Sequence, residues 1–316
     1  MRDVVVSRLT HEAEGVIGCE LRAADGAALP AFAAGAHVDV HLPGGLCRQY
    51  SLTNGPARSD LYSLGIGLAQ NSRGGSRHVH EQLRVGDRLQ VSPPRSLFGL
   101  TPHAAEHVFI AGGIGITPIL SMIEASEIAG QNWRLLYCVR SRARAAYLWR
   151  LAPHHGRVHL HVDEERDALP DIQGFLKSLD PGAHVYCCGP TPLMDAVGRH
   201  AAAAGLSPLA VHFERFSADG APADAAADGA FRVTLRRQGR SYMVPAGRSI
   251  LQTLEDNGIA LPCSCREGLC RTCETPLLAG RADHRDFVLS DEERAANSSI
   301  IPCVSRALDG ELVLDL

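Results

Sequence analysis

Three neighbouring cysteines, Cys265, Cys270 and Cys273, fall in the pattern C-x₄-C-x₂-C, and a fourth, Cys303, follows well downstream. The chain has ten cysteines in 316 residues. Disulfide frameworks staple small secreted domains, whereas clustered cysteines in a chain this long read as thiolate metal ligands. The other upstream cysteines, Cys19, Cys47, Cys138, Cys187 and Cys188, are scattered through a region large enough to build its own core. Cys263 lies just before the pattern. Counting from it breaks the four-residue gap, so it reads as a nonligand.

This spacing is the one by which plant-type ferredoxins hold a [2Fe–2S] cluster, with Cys265, Cys270, Cys273 and Cys303 as the ligand set. Such a segment handles one electron at a time, so the rest of the chain must deliver electrons to it. Composition is that of a soluble globular protein, 45% apolar and 21% charged. A net charge of -4 argues against nonspecific nucleic-acid binding, which needs a basic surface. Asp3 interrupts the start and Val4-Val5-Val6 is too short for a signal-peptide core, so no targeting segment is expected. No apolar run of about 18 residues is present, so no membrane span is expected either.

The first hundred residues read as short strands: Val4–Leu9, Val16–Leu21, His37–His41, Gln49–Leu52, Tyr62–Leu68 and Arg88–Val91. Turn signals such as Leu42-Pro43-Gly44-Gly45 and Asn54-Gly55-Pro56 separate them. Regular short strands with such turns predict a closed antiparallel β-barrel. Within it, Arg48-Gln49-Tyr50-Ser51-Leu52 places Arg48 and Tyr50 on one strand face and Ser51 on the other. Ser72-Arg73-Gly74-Gly75-Ser76 offers bare backbone for close approach to a ligand, with Ser76 as the expected cap of a following helix. Helix starts of this kind bind phosphate.

From His107 onward strands alternate with helices, which predicts a parallel sheet covered on both faces. Gly112-Gly113-Ile114-Gly115-Ile116-Thr117-Pro118 follows the first strand, and an amphipathic helix is expected over Ile119–Ile128. Further helices are expected over Ala145–Leu151 and Gln173–Leu179. Cys187-Cys188-Gly189-Pro190 ends the strand beginning at Val185. Arg140, Ser141 and Arg142 follow the second strand, where nucleotide folds read the adenosine ribose. An acid there favours NAD and an arginine accommodates the 2′-phosphate of NADP. Arginines without an acid leave NADPH open. His212-Phe213-Glu214-Arg215-Phe216 reads as the final strand.

Residues 218–230 are small and polar, as in a flexible linker. After them come a hairpin (Phe231–Leu235 and Tyr242–Val244), a helix opened by the Ser249–Gln252 capping box and ended by Gly258, and then the cysteine loop. The resulting division is 1–101, 102–217, 218–230 and 231–316.

The order R-x-Y-S, Gly-Gly-Ser loop, G-G-x-G-x-T-P, C-G-P and C-terminal ferredoxin cysteines resembles the phthalate dioxygenase reductase family, including its vanillate demethylase-type reductases, over essentially the whole chain. The resemblance implies a flavin-binding β-barrel, a Rossmann-like nucleotide domain and a β-grasp ferredoxin domain. It implies FMN lined by Arg48, Tyr50 and Ser51, with Gly65, Ile66 and Gly67 beside the flavin ring or ribityl chain and Gly74, Gly75 and Ser76 on the phosphate. It places Thr117 near both nicotinamide and flavin, Cys188 with Gly189 and Pro190 against the nicotinamide, and Phe216 stacked on the flavin. Gly112, Gly113 and Gly115 shape the pocket floor. It favours NADH as the donor.

The implied route runs from NADH through FMN to the cluster and then to a Rieske-type non-haem iron oxygenase, with the chain a monomeric cytoplasmic reductase. Two departures stand out. Leu68 stands where relatives often carry a basic residue, and Arg271 where they usually carry glycine. Arg271 is expected to be strained if the loop needs φ > 0, and to place a positive charge beside the cluster. From Cys263 onward ten acids outweigh six arginines, so a mildly acidic docking face is expected. Two other classes remain open: a stand-alone NAD(P)H oxidase or ferric/quinone reductase, and an iron–sulfur redox sensor.

Overall fold

The computed structural model describes residues 1–70, 72–177, 179–217 and 229–316. The expected linker at 218–230 falls almost wholly outside them. The chain divides into two compact units, Met1–Glu214 and Arg215–Leu316.

The first unit begins with a six-stranded antiparallel sheet. Its strands are β1 (Arg2–Ala13), β2 (Val16–Ala23), β3 (His37–Leu42), β4 (Leu46–Ser51), β5 (Tyr62–Gly67) and β6 (Arg88–Val91), in the order β4-β3-β6-β1-β2-β5. A bridge between Leu52 and Leu64 brings the two edges together and closes the barrel. Alternation sends Val4, Val6, Leu21, Val38, Val40, Leu64 and Ile66 inward, each essentially without exposed surface. Side chains of this kind contribute about 1.5–3 kcal/mol apiece on burial. Between β5 and β6 lies a short helix, α1 (Gly75–Glu81). Its N-cap is Gly74, at φ +91°, and not the expected Ser76. The Ser76 hydroxyl instead donates to Ser72 Oγ at 3.0 Å and accepts from the Ala69 N–H at 3.2 Å.

A parallel sheet follows in the same unit, in the order β11-β10-β7-β8-β9. Its strands are β7 (His107–Gly112), β8 (Trp133–Val139), β9 (Val158–Val162), β10 (His184–Cys188) and β11 (Val211–Glu214). Helices α2 (Ile116–Ile128), α3 (Leu148–Leu151), α4 (Ile172–Leu176) and α5 (Thr191–Ala203) connect them. Alternate residues of β7 feed two different cores. Phe109 and Ala111 pack with α2, and Val108 and Ile110 with α4 and α5. Strand order reverses between β7 and β10, and ligands of such sheets bind where the strand ends diverge at that point. Two helices depart from expectation. Helix α2 begins at Ile116, and its first eight residues are all buried, so it is an enclosed element and not an amphipathic surface helix. Helix α3 is confined to Leu148–Leu151 because Tyr147 takes a left-handed conformation, φ +62°.

The second unit is a mixed sheet in the order β13-β12-β18-β14-β16. It contains β12 (Phe231–Leu235), β13 (Arg240–Val244), β14 (Thr275–Ala279), β16 (Ser299–Ile300) and β18 (Glu311–Leu314). Strands β15 (Ala282–Asp283) and β17 (Arg306–Ala307) pair separately. Helix α6 (Ile250–Asp256) opens with the predicted capping box and buries Ile250 and Leu254 against the sheet. A second capping box, Ser290 with Glu293, opens α7 (Asp291–Ala296). No helix among the described residues is long and apolar enough to cross a membrane.

Candidate functional site

The barrel and the parallel sheet meet along a seam built from glycines. A Cβ on Gly65 would lie 2.5 Å from Thr117 Cγ2 and 2.6 Å from the Tyr147 hydroxyl, and one on Gly67 would lie 3.2 Å from Ile114. The end of β5 can therefore press against the start of α2 only because it lacks side chains. Thr117 is buried, and its hydroxyl donates to the Ile114 carbonyl at 3.0 Å. Its methyl faces the barrel.

At the switch point the two glycine motifs interlock. A Cβ on Gly112 would strike Pro190 at 2.6 Å, one on Gly115 the Cys188 carbonyl at 2.2 Å, and one on Gly189 the Gly112 backbone at 3.0 Å. Gly113 sits at φ +53°. Cys188 is fully buried, and burial, reinforced by Glu214 and Cys187, holds its thiol well above the usual range. It is a neutral thiol at neutral pH and not a nucleophile.

Glu214 joins the two halves. Parallel pairing of β10 with β11 sets it beside Cys188, and its carboxylate accepts the Ser51 hydroxyl at 3.4 Å. Burial pushes its carboxyl up to about 8, with the Ser51 hydrogen bond opposing. No local sequence signal marks this residue, which reads only as part of a terminal strand.

Around β4, Arg48 lies across the glycine loop. A Cβ on Gly75 would fall 2.5 Å from its side chain, and its guanidinium donates to the Arg73 carbonyl at 2.6 Å and the Cys47 carbonyl at 2.7 Å. A cation laid over a bare loop suits a phosphate, so these residues fit the phosphate end of a flavin. Tyr50 packs on the barrel core, where burial raises its hydroxyl to about 12. Ile66 points into that core, and its carbonyl meets His80 Nε2 at 2.9 Å, a tie to α1 that the sequence did not signal.

Beyond β8, Arg140 is exposed and Ser141 precedes a 3₁₀ turn. Arg142 is gripped by both oxygens of Glu165, at 2.5 and 2.9 Å, and Arg144 pairs with Glu14 at 2.9 Å. The acid missing after β8 is thus supplied from beyond β9. Phe216 belongs to the second unit and is 42% exposed.

In the second unit Cys265, Cys270, Cys273 and Cys303 converge. Hydrogen bonds from Cys270 and Cys303 drive the Cys265 thiol down, a bond from Cys303 lowers Cys273, and the two donors are correspondingly raised. Cys265 Sγ also accepts the Glu267 and Leu269 N–H groups at 3.4 and 3.3 Å. Four thiols linked through Cys265 and Cys303 supply the all-cysteine donor set that a [2Fe–2S] cluster takes. Cys263 packs beside Cys273 and Cys303, and its thiol meets Glu255 at 3.9 Å.

Residues 233–308 match the 2Fe-2S iron-sulfur cluster binding domain, and residues 87–211 match the N-terminal domain of dimethylamine monooxygenase subunit DmmA-like proteins. The chain is 43% identical to a vanillate O-demethylase oxidoreductase of a Pseudomonas species, covering 100% of both chains. It is 44% identical to a tetrachlorobenzoquinone reductase of Sphingobium chlorophenolicum, covering 99% of this chain and 98% of that one. A solved phthalate dioxygenase reductase, described as modular for electron transfer from pyridine nucleotides to [2Fe-2S], superposes with a TM-score of 0.76 at 37% identity, over 99% of this chain and 97% of that one. The glycine seam, the interlocked switch-point motifs and the four-thiol loop thus occur in a chain that matches these reductases end to end, and the protein belongs to the phthalate dioxygenase reductase family of flavin-, pyridine-nucleotide- and [2Fe–2S]-binding oxidoreductases.

Proposed function

We propose that this chain is a monomeric cytoplasmic reductase that draws on NADH and FMN and passes electrons through its [2Fe–2S] group to a separate Rieske-type non-haem iron oxygenase. The observation that carries the reading is the seam. Ser51 and Gly65 of the barrel touch Glu214 and Thr117 of the parallel sheet, so residues assigned to flavin and to nicotinamide share one junction. When bound, these groups would supply hydride acceptance, the splitting of an electron pair and one-electron export.

The chain's own residues supply position. Arg48, Gly74, Gly75 and Ser76 hold the flavin phosphate, a loop that can satisfy the terminal phosphate of FMN. Tyr50 and Ser51 line the flavin, and the backbone of Gly65, Ile66 and Gly67 passes beside its ring or ribityl chain. Gly112, Gly113, Gly115, Gly189 and Pro190 form a floor that admits the nicotinamide, while Thr117 and Cys188 exclude water beside it. Glu214 keeps the Ser51 hydroxyl oriented. Arg140, Ser141 and Arg142 face the adenosine ribose. Cys265, Cys270, Cys273 and Cys303 hold the irons.

Purified protein should release FMN on denaturation and show iron–sulfur bands that NADH bleaches. A purified Rieske-type oxygenase should accelerate NADH oxidation well above the rate with dioxygen alone. Release of FAD, or no response to the oxygenase, would count against the reading. The quinone-reducing name of one relative favours a second reading, direct quinone reduction. That reading requires fast NADH turnover with a quinone and no oxygenase present.

A further inference from the structure

Arg271 stands between Cys270 and Cys273 with a left-handed backbone, φ +54°. A Cβ is disfavoured there, and glycine would carry no such cost. The side chain shows what holds the residue in place. Nε donates to Glu274 Oε2 at 2.9 Å, and Nη2 donates to Glu274 Oε1 at 3.3 Å and to Glu293 Oε1 at 2.5 Å. Both acceptors are themselves fixed. The second oxygen of Glu293 accepts the Ser290 N–H at 2.8 Å in the capping box of α7, and Glu274 Oε1 accepts the Ser299 hydroxyl at 2.8 Å.

A second tie lies nearby. Arg294 of α7 donates to the Asp286 carbonyl at 2.6 Å, and the next residue, Phe287, donates its N–H to the Gly268 carbonyl at 3.0 Å. The thiol-bearing loop is therefore fastened to the α7 segment at Gly268 and again at Arg271. On the other side, Arg266 repeats the arrangement. It follows Cys265, sits at φ +60°, and places its guanidinium on Glu255 of α6 at 2.6 and 2.9 Å.

These contacts change the meaning of Arg271. The sequence makes it a bare positive charge beside the irons. In the fold it faces two carboxylates, so the group of three carries a net charge of about -1 and no bare cation is presented.

We infer that Arg271 is a positioning residue, a latch that pins the Cys270–Cys273 turn to α7 and so sets how firmly the iron–sulfur group is held. The inference rests on the assignment of Cys265, Cys270, Cys273 and Cys303 as its ligands.

The test compares full-length, cofactor-loaded wild type with Arg271→Gly, Arg271→Lys and Glu293→Gln. Each is exposed to the iron chelator bathophenanthroline while visible absorbance and circular dichroism of the iron–sulfur group are followed, with flavin absorbance as internal reference. Arg271→Gly relieves the backbone yet should lose the group at least tenfold faster, with an altered dichroism shape. Glu293→Gln should follow it, and Arg271→Lys should restore part of the retention. Equal or slower loss in Arg271→Gly, with unchanged dichroism, would overturn the latch.

Cys270→Ser tests the underlying assignment separately. If that variant keeps full iron–sulfur absorbance, the ligand reading fails. If it loses the absorbance while the latch variants match wild type, the ligand reading stands and the latch falls alone.

Discussion

The Ser51 hydroxyl donates to the Glu214 carboxylate across 3.4 Å, tying the end of barrel strand β4 to the last strand of the parallel sheet. This contact sets a pH dependence. Burial raises the Glu214 carboxyl from 4.5 to about 8 when folded. The folded state therefore prefers the neutral acid, while the unfolded chain ionises near its ordinary value. Stability contributed by the neutral acid is complete at low pH and is lost progressively as pH rises from about 4.5 to about 8. A shift of that size sets a ceiling of about 5 kcal/mol, and the ceiling is generous because part of the residue is solvent-exposed. Glu214→Gln keeps an acceptor for Ser51 and removes the ionisation. Denaturant midpoints from pH 5 to 9 should fall in wild type relative to this variant, and parallel curves would refute the buried acid.

Glu214 also shows where sequence reading stops. The G-G-x-G-x-T-P and C-G-P motifs were legible because each is a local device, a bare turn directly after a strand, and chain order alone brings both to the switch point. The grouping of Cys265, Cys270 and Cys273 was legible because their spacing is local, whereas Cys303 joins them from well downstream. Glu214 acquires its role from a β10–β11 register and from Ser51, far away in the chain, and neither leaves a mark on neighbouring residues. Glu165 was hidden for the same reason. Ser76 was misread as a cap because Ser72 offers its hydroxyl a closer partner, while Gly74 can take the left-handed turn that the start of α1 requires.

The glycine seam predicts a graded cost for added methyl groups. A Cβ on Gly115 meets a backbone carbonyl, which cannot rotate away. One on Gly65 meets the ends of Thr117 and Tyr147. Gly115→Ala should cost about 2–3 kcal/mol and Gly65→Ala about 1–2 kcal/mol in denaturant unfolding. Both should slow NADH-driven reduction of ferricyanide. An unchanged midpoint in Gly115→Ala would mean that the two motifs do not interlock.

Cys263 and Cys303 make opposite predictions although both lie near the ligand loop. Cys303 shares hydrogen bonds with Cys265 and Cys273, whereas Cys263 faces Glu255. Cys263→Ser should retain the full iron–sulfur absorption of the purified protein, and Cys303→Ser should lose it. Iron analysis of the two proteins decides the point, and the reverse result would reassign the ligand set.

If the end of β8 reads the adenosine ribose, donor preference is predicted to turn on Glu165. Arg142 carries the planar fork that would clasp a 2′-phosphate, but both Glu165 oxygens already occupy it. A phosphorylated ribose must displace a carboxylate and then face its charge, whereas a ribose hydroxyl can be accepted by that same carboxylate. Glu165→Gln removes the charge and weakens the grip. The ratio of kcat/KM for NADPH over NADH should rise about tenfold, equivalent to about 1.4 kcal/mol. Arg142→Ala in the same background should erase the gain, because the freed guanidinium is what the 2′-phosphate would use. If the ratio stays constant in both proteins, the adenosine ribose lies elsewhere than at the end of β8.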